Sequence, residues 1–414
     1  MAQDVIDTHM ESNTKNTSTK KKVLLHSRLA FYPMHWDTFK IICKEYNIEP
    51  YVITTSYADL PEAHKMLGTA NLEKDKADGF SPQIFYIPQG NFLLKVLLVF
   101  KYLHAIKPDV VWAQEEPVTP FEFPVLLYYF FRKNPRIVTG LNENIFTLNG
   151  PKKWLYNTLW KRINGILSTT ALAVGEVRKA GMPKNIPAWS IACGCLSPIE
   201  DNTAVMNIPI RTNGDFIIGF AGRITEVKGW KLIIEAMRTL PSHFKLAVAG
   251  SGDQLEELKK LQLDPAFSDR IWIAGLLPKE KLWHFYRGLD CLAVPSLTTR
   301  LWKEQSGGVL QDAMAVSLPI VGSDSGGIPE ITGDAGLIVP ENDSKALADA
   351  FRKLEAYPGL RKELGENGKK RFDQIFSLHA YAKIVAKGLG LEDTEAGPKS
   401  TTGSRIEKDN LKKQ

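Results

Sequence analysis

Cysteine is scarce. Cys43, Cys193, Cys195 and Cys291 are four in 414 residues, too few to frame a disulfide-stapled scaffold. The Cys193-Gly194-Cys195 spacing is neither a redox C-x-x-C nor a zinc knuckle, so all four read as reduced thiols of a cytosolic protein. Long hydrophobic runs are missing too. No stretch reaches the roughly 18 apolar residues that a membrane-spanning helix needs. The nearest, residues 121–131, is too short and carries Glu122 and Pro124. Residues 1–19 lack the apolar core of a secretory signal. The expected location is therefore the cytoplasm, either free or at the inner membrane surface. Charge of one sign is not strongly in excess either. A formal net charge of +6, spread along the chain, suits anionic ligands or an anionic surface but does not argue for a nucleic-acid partner.

What is present fits a globular protein, with 44% hydrophobic and 24% charged residues. The length exceeds one ordinary core, so two domains of roughly 150–200 residues are expected. Residues 1–20 and 392–414 are polar and read as disordered tails. Between them, short apolar runs recur at 22–26, 51–54, 84–87, 109–113, 136–139 and 189–192. The series continues at 216–220, 245–249, 271–274, 291–294 and 319–322. Many are continuously apolar, as strands covered on both faces are. Amphipathic stretches such as 230–239, 254–262 and 279–287 separate them. Strand, helix and strand in repetition predict an α/β protein of parallel βαβ units. Residues 198–214, rich in Pro, Asn and Gly, read as a linker between a first domain, 21–197, and a second, 215–375.

Glycine turns follow strand after strand in the second domain. Gly219-Phe220-Ala221-Gly222-Arg223 is followed by Lys228-Gly229-Trp230. Glycine lets backbone approach a bulky anion, and Arg with Lys can neutralise a diphosphate; the plainer alternative is a βα loop with two solvated charges. Ala249-Gly250-Ser251-Gly252 and Ala274-Gly275-Leu276-Leu277 repeat the pattern; a helix cap and an ordinary connector are their alternatives. Then comes Glu304-Gln305-Ser306-Gly307-Gly308-Val309, opening a helix that contains Asp312. A helix N-terminus presents free N–H groups to phosphate, and an acid one turn in can accept hydrogen bonds from hydroxyls. Gly322-Ser323-Asp324-Ser325-Gly326-Gly327 supplies a further turn, and 336–340 closes the sheet. All these loops fall at carboxyl ends of strands, where open parallel sheets bind ligands. Each signal is weak alone; five on one rim in one order are strong.

The order FAGRITEVKG, VAGSGDQ, IWIAGLLP, EQSGGVLQDAMA and GSDSGGIPEI resembles the donor domain of retaining GT-B glycosyltransferases of family 4, over roughly residues 215–385. The first half resembles it more loosely, through Pro108–Trp112 leading to Glu115-Glu116-Pro117. The resemblance implies two Rossmann-like parallel-sheet domains facing across a cleft. It makes the first domain the acceptor side and the second the nucleotide-sugar side, with residues 376–391 returning as a helix to the first. It implies transfer of a sugar from a nucleotide-diphosphate sugar to a hydroxyl acceptor (a glycan, lipid-linked or small molecule), with no metal and no cofactor beyond that co-substrate. On this reading Arg223 and Lys228 hold the diphosphate, Glu304 binds the sugar, and Asp312 takes the ribose. Gly222, Gly250 and the amides around Ser306, Gly307, Gly308 and Val309 approach the phosphates, and Gly275, Leu276 and Leu277 line the base. His26, Glu115 and Glu116 are the acceptor-side candidates.

The chain departs from the family pattern in places. Asp312 replaces a second glutamate, Ser306-Gly307-Gly308 replaces Phe-Gly-Arg, and Leu25–Leu29 lacks the usual glycine pair. A degenerate fold acting as a non-catalytic binding module, or another GT-B enzyme such as an epimerase, is the alternative. Residues 92–100 and 121–131, beside Lys95, Lys101, Arg132 and Lys133, read first as two buried helices. Peripheral docking to an anionic membrane is the other possibility.

Overall fold

The computed structural model describes residues 20–55, 71–141, 150–190, 204–305 and 307–392. The expected tails and Cys193, Cys195 and Ser306 lie outside the described residues, apart from Lys20 and Glu392 at the edges. Among the described residues, thirteen strands form two sheets. In the first half β1 is Lys22–His26, β2 Glu49–Thr54, β3 Gln83–Tyr86, β4 Val110–Ala113, β5 Arg136–Leu141, β6 Gly165–Ser168 and β7 Ala188–Ser190. The helices between them are α1 (Pro33–Glu45), α2 (Leu72–Ala77), α3 (Phe92–Ile106), α4 (Phe123–Tyr129), α5 (Gly150–Leu159) and α6 (Ala171–Lys179).

The second half holds β8 (Phe216–Ala221), β9 (Phe244–Ala249), β10 (Ile271–Gly275), β11 (Cys291–Val294), β12 (Ile320–Ser323) and β13 (Gly336–Val339). Its helices are α7 (Trp230–Arg238), α8 (Leu255–Gln262), α9 (Lys279–Arg287), α10 (Gly308–Ala315), α11 (Ile328–Thr332), α12 (Ser344–Ala356) and α13 (Pro358–Arg371). A turn of π-helix, Phe372–Phe376, leads to α14, Leu378–Leu389.

Strand order is β3-β2-β1-β4-β5-β6-β7 in one sheet and β10-β9-β8-β11-β12-β13 in the other. Every pairing between these strands is parallel. The continuous apolar runs are explained directly: β4, β6, β8, β9, β11 and β12 are buried along their whole length, because helices cover both faces. Each sheet is the middle of a three-layer sandwich with one apolar cluster above and one below. Chain order reverses between β1 and β4, and again between β8 and β11. At such switch points the loops part and leave a crevice at the carboxyl edge.

Residues 204–214 lie against the second domain. Ile208 is buried there, and Arg211 donates to Gly288 O at 2.7 Å and pairs with Asp290 at 3.0 Å. The last helix runs the other way. Phe372 and Phe376 belong to the second domain's core, whereas Tyr381, Ala382, Val385, Ala386 and Leu389 of α14 are buried in the first domain's, beside Val23, Val52 and Trp112. Ser377 caps α14 at its start, accepting from the N–H of Ala380, and Arg136 donates to Gly388 O at its end.

Residues 92–100 and 121–131, read as two buried helices, are buried on one side only. Val99, Leu103 and Ile106 of α3 and Val125, Leu126 and Tyr129 of α4 do face the core. Phe92, Leu93, Leu94 and Leu97 on α3, and Leu127 and Phe131 on or just after α4, are exposed. The apolar pattern is too broad for one buried stripe, so both sides of α3 carry it.

Candidate functional site

The carboxyl-edge loops of the second sheet are tied to one another. Gly222 donates to Ala249 O at 2.9 Å and Gly250 to Gly275 O at 2.8 Å, while Ile224 donates to Ser251 O at 2.9 Å. The stack is tight where glycine is required. A Cβ at Gly250, whose φ is +150°, would stand 1.9 Å from Gly222 O, and one at Gly229, φ +68°, would stand 1.8 Å from Pro295 O. Only glycine adopts such a φ without strain, and at both places backbone already occupies the space. The glycine rim is thus a single woven floor.

Two lysine–carboxylate pairs stand on it. Lys228 Nζ lies 2.6 Å from Glu304 Oε2 and 5.0 Å from the centre of the Trp302 ring. Ser296 donates to the same carboxylate at 2.7 Å. Glu304 is only 5% exposed. Its backbone is gripped by the turn after β12: Gly327 donates to Glu304 O at 3.0 Å, and a Cβ at Gly326 would meet the same oxygen at 2.1 Å. The second pair joins Lys279, the first residue of α9, to Asp312 on α10, with Lys279 5.5 Å from the Trp283 ring centre. Asp312 is 4% exposed. Both lysines therefore bridge a nearly buried acid and an indole face, an arrangement that fixes the position of each ammonium group.

The structure brings the other donor-side candidates to the same rim. Arg223 is exposed; its carbonyl accepts from the Thr225 N–H at 3.1 Å, and its guanidinium makes no hydrogen bond or ion pair among the described residues. Leu276 is exposed and Leu277 half-buried after β10, with Gly275 at φ +74° and open space where its Cβ would be. Gly307 precedes α10 at φ +38°, Gly308 opens that helix, and Val309 follows half-buried. Lys279 was not singled out from the sequence. Its position opening a helix after the Leu-Leu-Pro turn was legible, but its pairing with Asp312, 33 residues away, is tertiary.

On the facing domain, the carboxyl ends of β1 and β4 line a cavity of about 290 Å³ bordered by Ser27, Arg28, His35, Gln114 and Glu115. Gln305 reaches it from the second domain and Tyr381 from α14, so the cavity opens on the cleft. Glu115 is held by Arg28, whose Nε donates at 2.7 Å. Glu116 lies beside it in the same loop. His26, expected to face an acceptor, is instead fully buried. Its Nδ1 lies 2.8 Å from Glu122, its ring stacks on Phe121 at 4.3 Å, and it does not border the cavity. Burial pushes the Glu122 carboxyl above its ordinary range, with His26 opposing. Glu122 also accepts from the Glu115 N–H at 3.4 Å, so this buried pair fixes the loop that carries Glu115. Glu122, noted in the sequence only as a charge interrupting an apolar run, is the residue that the sequence reading missed here. Burial holds His35 near a pKa of about 4, so it is neutral at physiological pH.

The two domains touch next to the site. Both carboxylate oxygens of Glu330 accept from the N–H of Ala171 (2.9 and 2.8 Å), and Ser190 donates to one of them at 2.6 Å. This places an acid of the second domain on the N-terminus of α6, where the helix dipole favours it. Among the described residues, no group of three or more His, Cys, Asp or Glu side chains is placed to hold a metal ion.

Residues 202–371 match the family model for glycosyl transferases group 1. The chain is 32% identical over 200 residues to the D-inositol 3-phosphate glycosyltransferase of Corynebacterium jeikeium, covering 45% of this chain and 46% of that protein. It is 34% identical over 211 residues to the alpha-maltose-1-phosphate synthase of Mycolicibacterium smegmatis, covering 46% and 53%. Each match thus spans about half the length of the relative. In three dimensions the likeness is much wider. HepE of Anabaena, solved with UDP, superimposes with a TM-score of 0.67 at 16% identity, covering 90% of this chain and 99% of that one. The fold is GT-B.

Proposed function

We propose that this chain, a GT-B protein whose second half is a group 1 glycosyltransferase domain, moves a sugar from a nucleotide-diphosphate sugar to a hydroxyl acceptor with retention of configuration, in the cytoplasm. The observation that carries the proposal is the Lys228–Glu304 pair on the glycine floor at the β8/β11 switch point. Without substrate the two charges satisfy one another. A diphosphate laid over the floor draws Lys228 onto its oxygens beside Arg223, and the freed Glu304 carboxylate accepts hydrogen bonds from the sugar hydroxyls. The acceptor oxygen then bonds to the anomeric carbon on the face from which the diphosphate departs. The acceptor's proton passes to a departing phosphate oxygen, and the products are a glycoside and a nucleoside diphosphate. Position and positive charge do the work, supplied by Arg223, Lys228 and the N–H groups opening α10. The two cations take the place that a metal would otherwise fill. Glu115 and Glu116 stand on the acceptor side of the cleft.

Incubating the full chain with a panel of nucleotide sugars and acceptors, read by mass spectrometry and by anomeric NMR couplings, tests this directly. The expected product is a glycoside with the donor's anomeric configuration. An absence of both transfer and donor hydrolysis across the panel, with no nucleoside diphosphate binding, would overturn it. Asp312 and Lys279 divide the labour further. Lys279→Ala should raise the dissociation constant for the nucleoside diphosphate about fivefold to tenfold with kcat nearly unchanged. It removes the partner that orients a ribose-binding acid, a contact equal in ground and transition states. Isothermal titration and steady-state kinetics check it; a fall in kcat with unchanged affinity would place Lys279 at the reacting centre instead.

Arg223→Ala and Lys228→Ala should each lower turnover by about tenfold or more, since each lost charge-assisted contact in a shielded site is worth roughly 2–4 kcal/mol. Their stabilities should differ. The Arg223 side chain is exposed and pairs with no described residue, so its loss leaves the unfolding midpoint where it was. Lys228 neutralises a nearly buried carboxylate, and its loss should cost about 1–3 kcal/mol of stability. Denaturant titration of the two variants separates them.

A further inference from the structure

We propose that α3 and α4 form a docking face for an anionic lipid bilayer, set at the edge of the cleft. Four large side chains on α3, from Phe92 to Leu97, and Leu127 and Phe131 by α4 are exposed, Leu93 to 65% and Phe131 to 92%. They belong to one surface, because the helices pack together through Phe92 on Phe123 and Phe100 on Tyr128 (ring centres 6.5 and 5.0 Å apart). Leu93, Leu97 and Lys101 follow at intervals of four, one exposed stripe on the helix. A contiguous apolar patch of this kind marks an interaction surface.

Charge identifies the partner. Residues 91–107 and 123–135 contain no Asp or Glu at all, while Lys95, Lys101, Lys107, Arg132 and Lys133 lie among them. An apolar centre on two segments that carry cations and no acids matches the acyl boundary and headgroups of an anionic membrane. A second copy of the chain is a poorer occupant: a two-fold pairing through this face would bring the two sets of cations together. No described helix is long and apolar enough to cross a membrane, so the contact is interfacial.

The face also has a place in the proposed reaction. In a parallel sheet the helices begin at the carboxyl edge of the strands, and Glu122, immediately before α4, bonds to the Glu115 N–H at the wall of the cleft cavity. The starts of α3 and α4, where Phe92, Leu93 and Leu94 are exposed, therefore stand at the same carboxyl edge of the sheet as the acceptor-side opening. Resting on the transfer reading, this points to a lipid-linked acceptor whose hydroxyl enters from the membrane.

Sedimentation of the full chain with vesicles tests the face without any turnover. Phosphatidylcholine vesicles containing phosphatidylglycerol should carry the protein down at low salt. Binding should fall by about tenfold or more with pure phosphatidylcholine or at high salt, as screening of surface charge requires. Leu93→Glu with Leu97→Glu should abolish it, and Lys95→Glu with Arg132→Glu should do the same, with the unfolding midpoint unchanged in both. Failure of the wild-type chain to bind the anionic vesicles would overturn the proposal. So would binding that survives the leucine replacements, or a dimer by light scattering that those replacements split in a chain that ignores vesicles. Nucleoside diphosphate binding, measured on the same proteins, reports separately on the donor site.

Discussion

Glu304→Gln should reduce kcat by about two to three orders of magnitude, the scale seen when one preorganised group facing a developing charge is removed. The substitution keeps the shape and one oxygen but removes the charge. Glu304 is nearly buried, receives Lys228 at 2.6 Å and Ser296 at 2.7 Å, and has its backbone held by Gly326 and Gly327. Such a carboxylate cannot drift toward water when it is changed; the site must run with the neutral amide. Contacts to the transferred sugar tighten as positive charge grows at the anomeric carbon, so the loss falls on the transition state. Asp312→Asn should show the opposite profile, a raised KM with a smaller effect on kcat. Steady-state kinetics of the two variants decide the assignment, and a larger kcat loss in Asp312→Asn would mean that the two acids have exchanged roles.

Ending the chain at residue 375 should abolish transfer and leave the first domain with an uncovered apolar flank. Five side chains of α14, from Tyr381 to Leu389, are buried among residues of the first domain's core, including Val23, Val52, Trp112 and Val138. Fully burying a side chain of this size stabilises by about 1.5–3 kcal/mol, so losing the large ones approaches the whole stability of an ordinary domain. The same helix ties the halves covalently across the cleft, with Phe372 and Phe376 anchored in one core and α14 in the other. We expect the truncated chain to aggregate or bind a hydrophobic dye, whereas ending at residue 392 should leave activity and melting temperature unchanged. A monomeric, fully active chain of 375 residues would rule out the strap.

Much of this protein was legible in one dimension. Continuous apolar runs such as Phe216–Ala221 report strands covered on both faces, because a strand with a wet face must alternate. Glycines at the ends of those runs mark the rim of the candidate site, since only a residue without a Cβ lets neighbouring loops approach to hydrogen-bonding distance, as Gly250 does against Gly222. Local chemistry of this sort is carried by a few adjacent residues, and the sequence displays it whole. It placed Arg223, Lys228, Glu304 and Asp312 on one edge.

Partnership was decided elsewhere. Nothing within a window of residues says that Lys228 spends the resting state on Glu304, 76 residues on, that Lys279 holds Asp312, or that His26 turns inward to Glu122, 96 residues away. These contacts follow from strand order, which brings distant loops together at the switch points. The exposure of α3 was settled the same way. A helix apolar all round reads as buried by its composition, but a sheet and one neighbouring helix can cover only part of its circumference. The side left over, with its lysines, is a property of the packed molecule alone.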